Sequence, residues 1–408
     1  MWKNNLCGAM WHDTALGTKS ARGDAIMDKK IVLKFPNRLL VVALVLAVGI
    51  SATGVTPLAR RQAAAPPAAV AREKNYSLAE QHARSIAKEW LARGIPGLSV
   101  AVAVDGRIVY SEGFGYADLE QRVAAWPTTK FRIGSVSKSL TAVGLVQLVE
   151  QGKIDLDAPI QKYVPAFPDK GAAITTRMLA GHLAGIRHYK DDEFTISKHY
   201  EKVAEGLKIF ADDPLVSQPG KEFHYSSYGF NLVSAAMESA SGENFLAYMH
   251  EHVFGPLGLR NTVEDQPAEI IAERARFYDK PKDQPEENAP YVDNSYKWAG
   301  GGFLSTSEDL ARFGSALLRP GFLKPESLRL LFTSQKMTEG KETGYGMGWF
   351  VGKSKSGQRI FQHSGGSVGG SSQLILYPDA HVVVAMICNF TGEWKMEEVE
   401  SIAEGFEK

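Results

Sequence analysis

Strand-like sequence lies near both ends of this chain, and a long segment with helical patterning separates the two parts. Residues 98–118 contain two apolar runs joined at Asp105-Gly106, a dipeptide typical of tight hairpin turns. Further strand-like segments, whose turns carry glycine or proline, lie near the other end at 345–351, 359–366 and 372–389. Strands that are distant in sequence can pair in one antiparallel sheet, with the intervening segment as an insertion.

We therefore predict an α+β fold whose antiparallel sheet, of about five or more strands, is built from both chain ends and flanked by helices. One domain would cover 76–408. Its sheet lobe would comprise about 76–125 and 300–408, and an inserted, mostly helical lobe would cover about 126–299. A cleft between two such lobes is a usual place for a small-molecule site.

The N-terminal part resembles a targeting segment rather than part of the fold. An uncharged, mainly apolar stretch at 39–55 follows several basic residues, which is typical of a signal peptide or an N-terminal membrane anchor over 27–59. Residues 60–75 are rich in alanine and proline, as in a linker. We expect translation to start at Met27, so that 1–26 are disordered or not part of the product. These features predict an exported, periplasmic or membrane-tethered protein.

Composition excludes several classes of function. Lysine plus arginine and aspartate plus glutamate both number 46, so bulk charge does not favour nucleic-acid binding. The two cysteines, Cys7 and Cys388, are too few and too distant for a disulfide framework or a cysteine zinc site. The ten histidines occur without an HExxH motif. We expect no metal and no organic cofactor, and a small-molecule or peptide substrate as the partner.

A serine and a lysine three residues apart open the most apolar helical segment of the chain. Ser135 and Lys138 precede a run of leucine and valine that ends at Gly152. A buried lysine loses its proton easily and can activate a serine nucleophile, and a helix N-terminus supplies N–H groups for an oxyanion. The alternative is a serine N-cap with a lysine in the first turn. Ser85 and Lys88 repeat the spacing in mid-helix, which indicates a solvated face.

Two further segments carry candidate site residues. Tyr225-Ser226-Ser227 precedes a helix at 228–240, and the tyrosine alone is more typical of a core aromatic residue whose hydroxyl is capped. His363-Ser364-Gly365-Gly366 lies on a glycine-rich strand, which indicates close approach of a ligand or of another backbone. Residues 365–369 also match G-x-S-x-G, but strand-like sequence follows where an α/β-hydrolase needs a helix.

Taken in this order, the three motifs resemble those of the penicillin-recognising serine hydrolases, the superfamily of serine β-lactamases and D-Ala-D-Ala peptidases. The similarity is greater to its class C-like branch and extends over about 80–390. The stretches that carry it include TTKFRIGSVSKSLTA, LAGHLAGIRHY, WAGGGFLSTSEDLARF and FQHSGGSVGGSSQLILYPD. The resemblance implies a β-lactamase/transpeptidase-like fold.

The resemblance also implies roles for individual residues. Ser135 would be the acylated nucleophile, Lys138 its proton acceptor, and Tyr225 the group that passes a proton to the leaving group. The backbone N–H groups of Ser135 and Gly366 would form the oxyanion hole. Substrate binding would fall to four residues of the second and third motifs, namely Ser227, His363, Ser364 and Gly365.

The chain departs from the pattern of this branch at two positions. Ser227 replaces the usual asparagine and offers a shorter hydroxyl in place of an amide. His363 in place of lysine carries less fixed positive charge at neutral pH. We therefore expect a serine hydrolase that acts through an acyl-serine on peptide amides, esters or β-lactams. The alternative is a catalytically weak penicillin-binding, scaffold or filament-forming protein that keeps the fold.

Overall fold

Strands from both parts of the chain form the centre of the fold. The computed structural model describes residues 75–281, 284–392 and 395–407. In chain order its strands are β1 (Gly97–Val104), β2 (Arg107–Asp118), β3 (Val123–Ala124), β4 (Phe131–Arg132), β5 (Val263–Glu264), β6 (Tyr278–Asp279), β7 (Glu287–Asn288), β8 (Phe303–Ser305), β9 (Phe350–Lys353), β10 (Arg359–Ser367), β11 (Gly370–Tyr377) and β12 (Val382–Cys388).

Seven of these strands form one antiparallel sheet in the order β3-β2-β1-β12-β11-β10-β9. β1 pairs with β12 along its length, with Ala101 opposite Ala385, so the two chain ends meet at the middle of the sheet. The predicted hairpin between β1 and β2 is present, and Asp105 and Gly106 both have positive φ, at 50° and 79°. This is the backbone that a type I′ turn requires. The predicted sheet is confirmed.

Helices supply the rest of the regular structure. They are α1 (Ser77–Ala92), α2 (Ser137–Glu150), α3 (Thr176–Ala180), α4 (Val203–Leu207), α5 (Ser227–Ser241), α6 (Phe245–Met249), α7 (Gly255–Leu257), α8 (Trp298–Gly301), α9 (Ser307–Leu317), α10 (Pro325–Phe332) and α11 (Met396–Glu404). A π-helical turn, His250–Phe254, joins α6 to α7.

The sheet is covered on both faces. Alternate residues of β1 and β12, such as Val102 and Val384, pack with α1 and α11, whereas Ala101 and Ala385 face the core shared with α2, α5 and α9. Burial on both faces explains why β12 is apolar throughout. The helices between β4 and β8 form the inserted segment, as the sequence predicts.

The N-terminal expectations concern residues that lie outside the described ranges, namely 1–26, 27–59 and nearly all of 60–75. Within the described ranges, no helix has both the length and the apolarity that crossing a bilayer requires.

Candidate active site

The predicted nucleophile lies in a tight turn just before a buried helix. The chain leaves β4, passes through a 3-10 turn at Gly134–Val136 and continues as α2. Ser135 is partly exposed, whereas its neighbours in the turn and the first two turns of α2 are buried. The sequence placed Ser135 and Lys138 together on the first turn of a helix. In the structure Ser135 precedes α2, because Gly134 has a φ of 47° and starts a 3-10 turn instead.

Two glycines, Gly134 and Gly365, allow β10 to lie directly against this turn. A Cβ atom on Gly134 would lie 2.5 Å from the carbonyl oxygen of Gly366, and a Cβ on Gly365 would overlap the carbonyl oxygen of Ile133. Only glycine allows such an approach of two backbones. The structure thus brings Gly366 next to the Ser135 turn, where the resemblance places the two N–H groups of an oxyanion hole.

The Lys138 amine makes three short polar contacts. Its Nζ lies 3.0 Å from Ser135 Oγ, 2.9 Å from Ser227 Oγ and 2.5 Å from the carbonyl oxygen of Gly300. The side chain has no exposed surface, and burial, together with the positive charge of Lys297, holds the pKa of Lys138 well below its ordinary value. A neutral amine has two N–H groups and one lone pair. With N–H groups directed at Gly300 and Ser227, the lone pair is left for the Ser135 hydroxyl proton.

Hydrogen bonds to Tyr189 and His188 fix the position of Ser227. Ser227 is the first residue of α5, and its hydroxyl also hydrogen-bonds Tyr189. Burial raises the pKa of Tyr189, and this hydrogen bond acts in the opposite direction. Its backbone N–H donates to His188 Nδ1 at 3.2 Å. The predicted helix entrance is present, with Ser226 as the N-cap whose Oγ accepts from Gly229 N. Ser227 therefore contacts the catalytic amine directly.

Two histidines fix this helix entrance, namely the buried His182 and His188, which keeps part of its surface exposed to solvent. The backbone N–H of Ser226 donates to His182 Nδ1 at 3.2 Å, as that of Ser227 does to His188. A backbone N–H can only donate, so both Nδ1 atoms carry no proton. Burial, aided by the charge of Lys138, lowers the pKa of His188 to about 3 and that of His182 well below its ordinary value. Both rings are neutral at physiological pH and satisfy N–H groups that the helix itself leaves unpaired.

The Tyr225 ring lies beside the Lys138 amine, with Nζ 4.9 Å from the ring centroid. The ring contacts His182 at 4.3 Å and His363 at 6.2 Å between centroids, and stacks against Phe350. The structure therefore brings the predicted Ser135, Lys138 and Tyr225 together around one point. The role of Tyr225 in proton transfer stays a prediction.

His363 is placed differently from a substrate-binding cation. The residue is 1% exposed; its Nε2 lies 3.0 Å from the Tyr345 hydroxyl and its Nδ1 lies 2.6 Å from the Ser364 carbonyl oxygen. Burial, followed by the charge of Lys138, lowers the pKa of His363 to about 3, so the ring is neutral. His363 thus ties β10 to Tyr345, while Ser364 and Gly366 on the same strand are exposed.

Sequence reasoning missed Gly300, Tyr189 and Lys297. Gly300 and Lys297 lie in or beside the WAGGGF stretch, and Tyr189 ends HLAGIRHY, so both stretches indicated family likeness without assigning a function to these residues. Their contacts with the site join parts of the chain that no local pattern relates. Ser367 of the G-x-S-x-G match ends β10 and leads into β11, so no helix follows it.

One group of side chains in the described ranges has the spacing of metal ligands. The ligand atoms of Glu243, Glu251 and His252 lie within 4.8 Å of one another. His252 Nε2 already hydrogen-bonds both carboxylate oxygens of Glu243. The group involves neither Ser135 nor Lys138.

Comparison with known proteins agrees with this geometry. The Beta-lactamase family profile matches residues 79–403. The chain is similar to the serine beta-lactamase-like protein LACTB, mitochondrial, of Mus musculus, with 34% identity over 88% of this chain and 86% of the relative. The Homo sapiens protein of the same name is 35% identical over 77% of each chain. An octameric penicillin-binding protein homologue from Pyrococcus abyssi superposes with a TM-score of 0.70 at 26% identity, covering 80% of this chain and 76% of its own.

These relatives correct the predicted location. The curated mammalian relatives are named as mitochondrial proteins, so the prediction of an exported, periplasmic protein is wrong. Basic residues ahead of an apolar stretch occur in segments addressed to different membranes, and the pattern alone does not specify the destination. The predicted superfamily and fold are confirmed.

Proposed function

Because this chain belongs to the beta-lactamase family of serine hydrolases, we propose that it is an acyl hydrolase in which Ser135 forms a covalent acyl intermediate. The observation that carries the proposal is the Lys138 amine, fully buried and 3.0 Å from Ser135 Oγ. A serine hydroxyl becomes a useful nucleophile only when a base takes its proton. Lys138 has the position and the lowered pKa of that base.

The proposed reaction has two halves. Lys138 accepts the Ser135 proton while Oγ attacks the acyl carbon, and the N–H groups of Ser135 and Gly366 stabilise the oxyanion. As the bond to the leaving group breaks, a proton passes to that group from Lys138 by way of Tyr225. Water then attacks the acyl-serine, the same groups take up its proton, and the acid product leaves with Ser135 restored.

The site favours acyl donors without a free carboxylate. His363 is buried and neutral, so the third motif lacks the fixed positive charge that would pair with such a group. Ser227 is occupied by Lys138, Tyr189 and His188, which leaves it poorly placed to bind a substrate amide. We therefore propose neutral esters and amides as better substrates than β-lactams or peptides ending in D-Ala-D-Ala.

A panel of three substrates tests this proposal on the full chain. Turnover of p-nitrophenyl acetate should exceed that of nitrocefin and of an acyl-D-Ala-D-Ala peptide. Ser135→Ala should abolish turnover, and Lys138→Met should reduce kcat at least about a hundredfold. Ser85→Ala and Lys88→Met alter the exposed copy of the same spacing and should leave kcat unchanged.

Two results would contradict the proposal. Turnover that persists in Ser135→Ala would place the chemistry elsewhere. A wild-type protein that hydrolyses none of the three substrates and forms no acyl-enzyme would favour the scaffold alternative.

A further inference from the structure

A second buried lysine lies near the site, and the reaction proposed above does not use it. Lys297 is the last residue of the 3-10 turn Asn294–Lys297 and directly precedes α8, whose Gly300 carbonyl binds Lys138. Its side chain is 2% exposed. Within the described ranges it forms no ion pair with a carboxylate, and Asp265, the acid whose charge acts on it, is paired with Arg132 at 2.6 Å.

Aromatic rings surround the Lys297 amine instead. Its Nζ lies 4.4 Å from the ring centroid of Phe194, 5.2 Å from that of Tyr296 and 5.4 Å from that of Tyr189. Ring faces attract an ammonium group without neutralising its charge. A positive charge held in this way in a poorly solvated region acts over several ångströms on other titratable groups.

Tyr189 connects this cage of three rings to the catalytic amine. Its ring contacts Lys297, and its hydroxyl hydrogen-bonds Ser227, which lies 2.9 Å from Lys138 Nζ. In line with this proximity, the positive charge of Lys297 contributes to the lowered pKa of both Lys138 and His188. Two amines that interact in this way oppose each other's protonation, an arrangement that generates neutral, reactive lysines.

The other charged or titratable groups around the two amines come from several elements: Arg132, Asp265, Tyr189, Glu193, Tyr225, Tyr296 and three histidines, His182, His188 and His363. The histidines are neutral near pH 7 because burial lowers the pKa of each, and Arg132 is paired with Asp265. Burial, followed by Arg132, lowers the pKa of Lys297 to about 7.

We propose that Lys297 is a positioning residue for the reaction: its positive charge, held by the rings of Tyr189, Phe194 and Tyr296, adds to the effect of burial in keeping the Lys138 amine unprotonated and able to accept the Ser135 proton. The ring cage stabilises the ammonium form of Lys297, so below its pKa of about 7 the positive charge lies on Lys297 rather than on Lys138. This inference rests on the proposed function for its consequence in catalysis, but the coupling between the two amines does not depend on turnover.

An NMR titration of the full chain tests the coupling directly. The ¹³Cε resonance of Lys138, assigned by its absence in Lys138→Arg, reports protonation of this amine. In Lys297→Met its midpoint should rise by about one pH unit or more relative to wild type. In Lys297→Arg, which keeps a permanent charge, it should stay equal or fall. Lys198→Met is the matched control, because Lys198 also lies over a ring, that of Tyr200, but is exposed.

The same variants have a distinct kinetic result. The rising limb of the Ser135 acylation rate against pH should move to higher pH in Lys297→Met, with about a tenfold lower rate at pH values below the wild-type midpoint and the wild-type rate above the limb. A uniform loss at all pH values, an unchanged Lys138 midpoint, or a Lys297→Arg protein that behaves like Lys297→Met would overturn the proposal. If Lys297→Met does not fold, a Lys138 midpoint in Lys297→Arg above that of wild type would overturn it as well. A shifted midpoint in a protein that never acylates would support the coupling and reject the proposed function.

Discussion

The carbonyl oxygen of Gly300 lies 2.5 Å from the Nζ of Lys138, although 162 residues separate the two in sequence. The contact occupies one N–H of the amine and directs the rest of the group towards Ser135 and Ser227. A carbonyl of α8, in the inserted segment, therefore orients the base that α2 supplies. Serine–lysine spacing alone does not provide this orientation, since Ser85 and Lys88 have the same spacing on an exposed helix face.

Ser227→Ala removes one acceptor of the Lys138 amine. We expect the acylation rate to fall about tenfold, because a buried N–H left without a partner costs about 1–3 kcal/mol. Ser227→Thr retains the hydroxyl and should recover part of the rate. Ser234→Ala serves as the control, since Ser234 is equally buried on α5 but bonds the Asn231 carbonyl. An unchanged rate in Ser227→Ala would show that this contact has no part in activating the base.

Gly134→Ala should destabilise the fold and misplace the nucleophile. The new Cβ would lie 2.5 Å from Gly366 O in a backbone with positive φ, so strain and overlap add, for a loss of about 3 kcal/mol or more in the free energy of unfolding. Gly152→Ala has a similar φ of 69° but open space around the Cβ, and should cost only about 1 kcal/mol. Urea unfolding measures both. Equal losses of unfolding free energy in the two variants would argue against a close contact between β10 and the Ser135 turn.

Much of the fold follows from local sequence. The apolar strands, the Asp105-Gly106 turn and the buried α2 helix each have a pattern that predicts them, and the sheet joining both chain ends follows from their order. Exact helix starts do not follow. Ser77 has the residue type of an N-cap, yet it is the first residue of α1, and its N–H donates to Asn75 Oδ1. The side chains of Asn75 and Ser77 are both suitable caps, and only tertiary packing selects one.

The site could be predicted only in part for a similar reason. Ser135 and Lys138 are close in sequence, so helical geometry relates them. Gly300, Tyr189 and Lys297 reach the site through long-range packing, which a single sequence does not reveal. The sequence predicts less positive charge at position 363 than a lysine would supply. In the structure the loss of charge is greater, because burial against Tyr345 also lowers the pKa of His363.

Acid should weaken this fold through two histidines whose pKa is lowered in the folded protein. His188 and His363 have a pKa of about 3 in the folded protein against 6.5 for an unperturbed histidine. The unfolded chain therefore binds more protons between these values, so stability is complete above about pH 6.5 and is lost as pH falls towards 3. We expect a loss of roughly 1.4 kcal/mol per pH unit for the buried His363, and a smaller loss for His188, because solvent at its exposed surface screens the shift.

Urea unfolding between about pH 7 and pH 4.5 tests this expectation. His363→Gln and His188→Gln should each reduce the slope of stability against pH, whereas His224→Gln, which alters a surface histidine paired with Glu222, should not. A wild-type protein whose stability is flat to pH 5 would show that these rings titrate normally.

The Ser135 hydroxyl is proposed to be a nucleophile that the Lys138 amine activates, and every other step of the reaction depends on this pair. The most direct test is to treat the full chain with a fluorophosphonate probe and to map the adduct by peptide mass spectrometry. We predict one adduct per chain, on the peptide that contains Ser135, formed much more slowly in Lys138→Met. An adduct on any other residue, or none with any acyl donor while the protein is folded, would contradict this activation.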